Sequence, residues 1–265
     1  MAHHDFDRRT FLKTVGLGAT ALAAGGCATG ATQSAPAFAD DGKPIYTVRP
    51  ASGRPGLDGD WAGPIWREAN TATIENFSAT SSAHRPVAQA KVVYDDAGLY
   101  VHFRVQDQYV RSIATEYRGD VWEDACAEFF VQPRVERGYF NFEVNCGGYM
   151  LLSYHENKEW KGESLRKGGG VPWELASHVN IWHSMPHTTD PEIAEPVTWQ
   201  IEYHIPFSLF EAYLGPLGEM PGQKWRANFY KIAENNSHPH YGAWSPILKN
   251  SSFHQPRYFG HLRFE

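Results

Sequence analysis

From Gly98 to Asp107 the chain alternates with a period of two. Leu99, Val101, Phe103 and Val105 are apolar, and Tyr100, His102 and Arg104 stand between them. That period marks a half-buried β-strand. Val92 and Tyr94 lie upstream across the turn signal Asp95-Asp96-Ala97-Gly98, so Ala88–Asp107 reads as a hairpin. Its apolar odd positions face the core, which leaves His102 facing outward or into a cleft.

A second hairpin spans Ala125–Gly148 around Pro133–Gly138. In its first strand Ala125, Ala127, Phe129 and Val131 form one set, and Asp124, Cys126, Glu128 and Phe130 the other. In its second strand Phe140, Phe142 and Val144 are apolar, and Asn141, Glu143 and Asn145 are polar. Side chains alternate between faces, so a slip by one residue would bury the polar set. The pattern therefore predicts that Glu128 and Glu143 meet on the face away from the core. It also puts Cys126 and Cys146 on opposite faces, where a direct bridge fails on geometry and separate thiols are expected.

Elsewhere, Gly53–Ala69 predicts a turn-rich approach to a short helical piece around Trp66. Val197–Phe210 predicts a strand that runs into a short helix after Pro206. Lys224–Ile232 and Arg257–Glu265 predict further strands, and Lys161–Pro172 and Met185–Pro196 predict loops. Heptads, internal repeats and a nucleotide loop are lacking. Short strands punctuated by turns point to an all-β fold, an antiparallel β-sandwich with short helices in its loops.

The N-terminal residues 1–39 read differently. A twin-arginine motif, Arg8-Arg9, precedes a modestly apolar run from Val15 to Ala24, as in an export signal. Small-residue cleavage after Ala39 would start the mature chain at Asp40, and a lipobox-like "AGGC" ending at Cys27 would start it there with a lipid anchor. Both remain open. The expected location is periplasmic or secreted, with one domain over residues 40–265. Membrane contact would come only through the Cys27 anchor.

Composition sharpens the functional classes. The 265 residues carry a net charge of −6 without a basic patch, so nucleic acid is not an expected partner. Aromatic residues make up 14% of the chain, including 9 Trp and 13 Tyr, enough to supply ring-shaped platforms as well as a core. Like charges directly opposite across strands are destabilising. A Glu128–Glu143 pair therefore needs a cation, a shared proton, an arginine or ligand hydroxyls. Trp122 and Tyr149 frame the pair. Trp244 stands in "PHYGAWSPI" where turn chemistry should expose it beside His240, Tyr241 and Asn228.

These segments resemble a known family. "VWEDACAEFF", "YFNFEVNCGG", "WQIEYHIPF", "RANFYKI", "PHYGAWSPI" and "FHQPRYFG" together resemble the carbohydrate-binding module family 9-like proteins, from about Leu57 to Phe264. The resemblance implies a jelly-roll-like antiparallel sandwich that binds the end of a sugar chain between two tryptophans. Trp122 resembles the first ring, Glu128 a hydroxyl-binding carboxylate, and Trp244 the second ring. Glu143 and Asn145, in "EVN", resemble a pair whose first position is basic in the sugar-binding modules, so Glu143 is a departure. The implied function is carbohydrate binding in polysaccharide catabolism, through Trp122, Glu128, Glu143, Asn145, Asn228, His240 and Trp244.

An enzymatic alternative uses the same cleft. Carboxyl groups about 5–5.5 Å apart suit a retaining glycoside hydrolase. A Tyr and His pair suits a polysaccharide lyase that abstracts a proton. Glu128, Glu143 and His240 are the catalytic candidates in that case, with His102, His155, His254, Tyr149 and Tyr230 behind them. His238 and His240 are a poor metal pair because Pro239 restricts them. Modules of the family bind calcium, and the oxygens of the acidic turns Asp58/Asp60 or Asp95/Asp96 could hold a structural ion, though turn chemistry explains these residues equally well.

Overall fold

The structure is a computed structural model and describes residues 41–159, 165–248 and 251–265. Arg8, Arg9, Cys27, the cleavage positions Ala39 and Asp40, and part of the 161–172 loop lie outside the described residues.

Strands dominate. The first hairpin is β4 (Val87–Tyr94) and β5 (Gly98–Asp107), preceded by β1 (Ile45–Pro50), β2 (Ala72–Ile74) and β3 (Asn76–Phe77). After β6 (Val110–Ser112) comes the second hairpin, β7 (Cys126–Gln132) and β8 (Gly138–Asn145). It continues into β9 (Met150–Glu156) and β10 (Gly169–Gly170). Then follow β11 (Asn180–His183), β12 (Thr189–Ile193), β13 (Val197–Pro206), β14 (Lys224–Ala233), β15 (His240–Ala243) and β16 (Gly260–Phe264). Both hairpin turns fall where the turn residues lie. At the first, the Asp95 carboxylate accepts bonds from the backbone N–H groups of Ala97 and Gly98.

Short helices interrupt this series: α1 (Pro64–Glu68), α2 (Trp173–Ala176) and α3 (Phe207–Leu214). Proline suits α1 and α3 at their starts, where a missing N–H loses nothing. α3 buries Leu209, Phe210, Tyr213 and Leu214 and ends at Gly215, whose φ of 76° favours glycine.

One curled sheet runs β10-β9-β8-β7-β14-β16-β1-β4-β5-β13-β11, and β12 with β6 forms a small second sheet. β1 joins the two arms. Its residues Ile45 to Val48 pair with β16 and Arg49 and Pro50 with β4, parallel in both cases. The expectation of purely antiparallel pairing is thereby corrected. Pairing direction at β1 is set by a partner more than 200 residues away, which local periodicity does not report. The Met185–Pro196 loop likewise contains β12, paired with β6.

The arms share one core. Leu99, Val101, Phe103 and Val105 from one arm and Ala127, Phe129, Val131, Phe140, Phe142 and Val144 from the other are buried in it. Phe229 sits at the junction. Its ring lies 5.2 Å from Phe129, 6.0 Å from Phe103, 5.9 Å from Tyr46 and 5.4 Å from Trp244. Truncating a ring with contacts in every direction leaves a cavity the sheet cannot close. Phe229→Ala should therefore lower unfolding stability by roughly 3–5 kcal/mol in a denaturant titration.

Candidate functional site

The second hairpin adopts the predicted register. Glu128 lies opposite Glu143, Phe129 opposite Phe142 and Phe130 opposite Asn141. Because Phe129 and Phe142 enter the core, both glutamates emerge together on the outer face of this arm. β14 adds Tyr230 opposite Glu128, and β9 adds Leu151 opposite Glu143.

The carboxyl pair is withdrawn from water. Glu128 is 2% exposed and Glu143 5%. Asn141 Nδ2 donates to Glu143 Oε1 at 2.6 Å, and His155 Nε2 donates to Asn141 Oδ1 at 3.1 Å. Glu128 Oε2 is buried with no partner among the described residues. Burial disfavours the charged forms, and each carboxylate disfavours its neighbour. Burial, followed by the Glu143 and Glu234 charges, raises the Glu128 pKa well above the ordinary value. Burial raises Glu143 to about 7, against the opposing bond from Asn141. The two titrate as a pair.

Half-buried rings border this floor. Trp122, Tyr149, Leu151, Tyr241 and Phe253 pack around Val121, Cys126 and Ile232. Phe253 stacks on Tyr230 at 4.1 Å, and the Tyr230 hydroxyl donates to its carbonyl. Asn145 does not point into open space. Its Nδ2 donates to the Ala114 carbonyl and to Asp124 Oδ2, and its Oδ1 accepts from Tyr149 N–H. Asp124 also accepts from the N–H groups of Ile113 and Ala114. Asn145 is thus spent on a clasp that holds the Trp122 turn against the Tyr149 turn, and acts as a positioning residue.

Three expected members stand apart. Asn228 lies under the same face but is consumed, bonding Ser245 from both ends of its amide. His240 is on the core side of β15. Lys231 Nζ donates to its Nε2 at 2.8 Å, and its Nδ1–H reaches the His238 carbonyl. Burial, then the Lys231 charge, pushes its pKa down to about 3. Lys231 in turn pairs with buried Asp107 at 3.3 Å, which also meets His84 and the Trp199 indole. His240 therefore belongs to a buried ion-pair network, separated from the carboxyl pair by the sheet.

Trp244 is also on the core side. Its N–H pairs with the Phe229 carbonyl and its ring packs on the main core. A Cβ at Gly260 would lie 2.5 Å from that ring. Trp122 and Trp244 are on opposite faces of the sheet, and the structure does not bring them together around one cleft. The period-two rule fixes this: Tyr230 and Ala243 face outward together, so the next residue turns inward.

Among the other candidates, His155 and Tyr230 join the face, and Tyr149 lies on its rim. His254 bonds the Tyr139 hydroxyl at 3.0 Å. His102 is remote, on the outer face of the other arm, with Trp61 and Trp66 edge-on at 5.0 Å. Cys126 and Cys146 are both buried and free, as their opposite faces require. At the acidic turns, Asp95 is engaged by its turn, by Tyr100 and by Arg54, and Asp58 accepts from Asp60 N–H. Among the described residues no three His, Cys, Asp or Glu side chains converge to hold a metal. Tyr241, named in the sequence beside Trp244, joins this face, whereas Phe253 and Tyr139 are additions. Of these two, Tyr139 had a signal, being two residues before Asn141 on the same face.

A family model described as carbohydrate-binding family 9 matches residues 66–264. The chain belongs to carbohydrate-binding family 9. No curated protein sequence matches it. Solved structures resemble it along most of its length. One, a candidate carbohydrate-binding protein from Bacteroides uniformis, is 26% identical with a TM-score of 0.73, covering 84% of this chain and all of its own. A family 9 module from Caldicellulosiruptor kristjanssonii in complex with cellotriose is 15% identical with a TM-score of 0.56, covering 84% of this chain and 94% of the module. The module from that organism with glucose is 14% identical at the same TM-score, covering 83% and 95%. At these identities the Caldicellulosiruptor likeness concerns the fold.

The carboxyl pair makes stability depend on pH in a defined direction. A glutamate whose pKa is raised on folding favours the fold below its unfolded value of 4.5, and that contribution is lost as pH rises toward about 7. Glu143→Gln keeps the oxygen that accepts from Asn141 and removes the charge. It should raise stability at pH 7.5 by up to about 3 kcal/mol and leave it nearly unchanged at pH 4, read by denaturant titration at both pH values.

Proposed function

We propose that this protein is an exported carbohydrate-binding protein that receives a sugar or the end of an oligosaccharide over the Glu128–Glu143 pair, in the service of polysaccharide catabolism. The observation that carries the reading is the buried carboxyl pair itself, with Glu128 Oε2 unpartnered among the described residues and half-buried rings packed around Cys126 on the same face. A fold gains nothing from two adjoining carboxyl groups out of water. A ligand does: sugar hydroxyls both donate and accept, so they suit a pair that shares protons. Aromatic faces beside the pair cover the C–H faces of a pyranose ring. Family membership and the cellotriose and glucose complexes of the Caldicellulosiruptor modules support gluco-oligosaccharides as first ligands to try. In the same reading the two arms of the curled sheet are the layers of a jelly-roll-like sandwich.

Calorimetry with glucose and cellotriose tests the site. Trp122→Ala should weaken binding by about 1 kcal/mol or more, roughly five-fold, with an unchanged unfolding midpoint. Undiminished affinity in the folded variant would remove Trp122 from the site. Incubation with a polysaccharide panel separates binding from turnover. A binding protein returns the glycans intact, and its Glu143→Gln variant changes preference. A hydrolase or lyase would cleave them and lose cleavage in that variant. Export is tested at the native N-terminus by mass spectrometry, which should find Asp40 or a modified Cys27, whereas a retained Met1 would contradict it.

A further inference from the structure

The outer face does not end at Glu143. Four residues back along β8, about 13 Å at strand rise, Tyr139 occupies the same face. Its ring stacks on His155 at 4.7 Å with an interplanar angle of 11°, and His254 closes against His155 at 5.0 Å. Beside them opens a groove of about 870 Å³ bordered by Tyr139, His155, Glu156, Lys158, Lys167 and His254. That volume falls in the range of small-molecule sites, roughly 300–1,000 Å³. A hydrogen-bond chain joins groove and carboxyl pair, from His155 to Asn141 to Glu143.

The two ends differ in charge. Among the described residues, the carboxyl end brings together Glu128 and Glu143 with the neutral side chain of Asn141. Among the described residues the groove end offers the ammonium groups of Lys158 and Lys167 against the carboxylate of Glu156, with polar imidazoles on its wall. An anion is repelled at the first and attracted at the second.

We propose that this groove is a second subsite, specific for a sugar unit bearing a carboxylate, so that the preferred ligand is an oligosaccharide with a neutral unit over the glutamates and a uronate unit at the lysines. The inference rests on the carbohydrate-binding reading for its neutral unit, but the groove can be probed alone. Lys158 and Lys167 provide the charge selection. The His155 and Tyr139 stack provides the wall against which a ring is held.

An NMR titration of the full mature chain with glucuronic acid, and separately with glucose, reads the imidazole resonances of His155 and His254 and the indole N–H of Trp122. Glucuronic acid should shift both imidazoles, and raising the salt should weaken the effect, since exposed charges are screened over about a Debye length. The Lys158→Ala/Lys167→Ala variant should weaken glucuronic acid binding about five-fold or more, as expected for loss of two exposed ion pairs, and leave glucose binding unchanged. Imidazoles that do not respond to glucuronic acid, or a double variant that keeps its affinity, overturn the subsite. A glucose response at Trp122 in that case leaves the carbohydrate-binding reading standing. Imidazole shifts with glucuronic acid and silence at Trp122 with glucose and cellotriose support the groove and defeat that reading instead.

Discussion

The cross-strand pairing of Glu128 with Glu143 is the constraint on which the outer face depends. It follows from the opposite side of the same strands. Phe129 and Phe142 must enter the core, and the pleat then forces their neighbours outward together. Each aromatic buried on one face thereby fixes a carboxyl on the other. The hydrophobic effect holds an electrostatically unfavourable pair in place, because a slip would exchange two phenylalanines for two carboxyl groups in the core. Raised carboxyl pKa values are the physical consequence.

Around that floor, the remaining polar groups divide by what they still have to offer. Asn145, Asn228 and Asp124 have their hydrogen-bonding capacity met within the protein and serve to shape the site. Glu128, with an unmet oxygen, and the half-buried rings of Trp122 and Tyr241 have capacity left. The distinction between a shaping amide and a receiving one lies in the third dimension, since both occupy outward positions of a strand. The Lys231–Asp107 pair with His240 shows the converse, polar residues placed inward and satisfied there by one another.

Much of the architecture was legible where periodicity was strong. β4, β5, β7, β8, β13 and β14 alternate or carry dense apolar runs, and their turns contain residues that demand a turn. The short pieces β2, β3, β6 and β12 have too few positions for a period, and β1 hides its parallel partners because they lie at a distance. In the site, Glu128, Glu143 and Asn141 followed from alternation alone. Trp244 and His240 did not, for β15 is four residues long and its phase is set by Tyr230 across the ladder. Phe253 comes from an irregular loop and has no pattern at all.

The account stands or falls on whether the carboxyl pair is proton-bearing and meets the ligand. Carbon-13 NMR of the glutamate carboxyl groups, titrated with pH in the presence and absence of cellotriose, reads both at once. The account predicts two coupled titrations assigned to Glu128 and Glu143, with midpoints raised above the ordinary glutamate value, that move when the sugar is added. Two independent titrations near 4.5, indifferent to every sugar that binds, would contradict it.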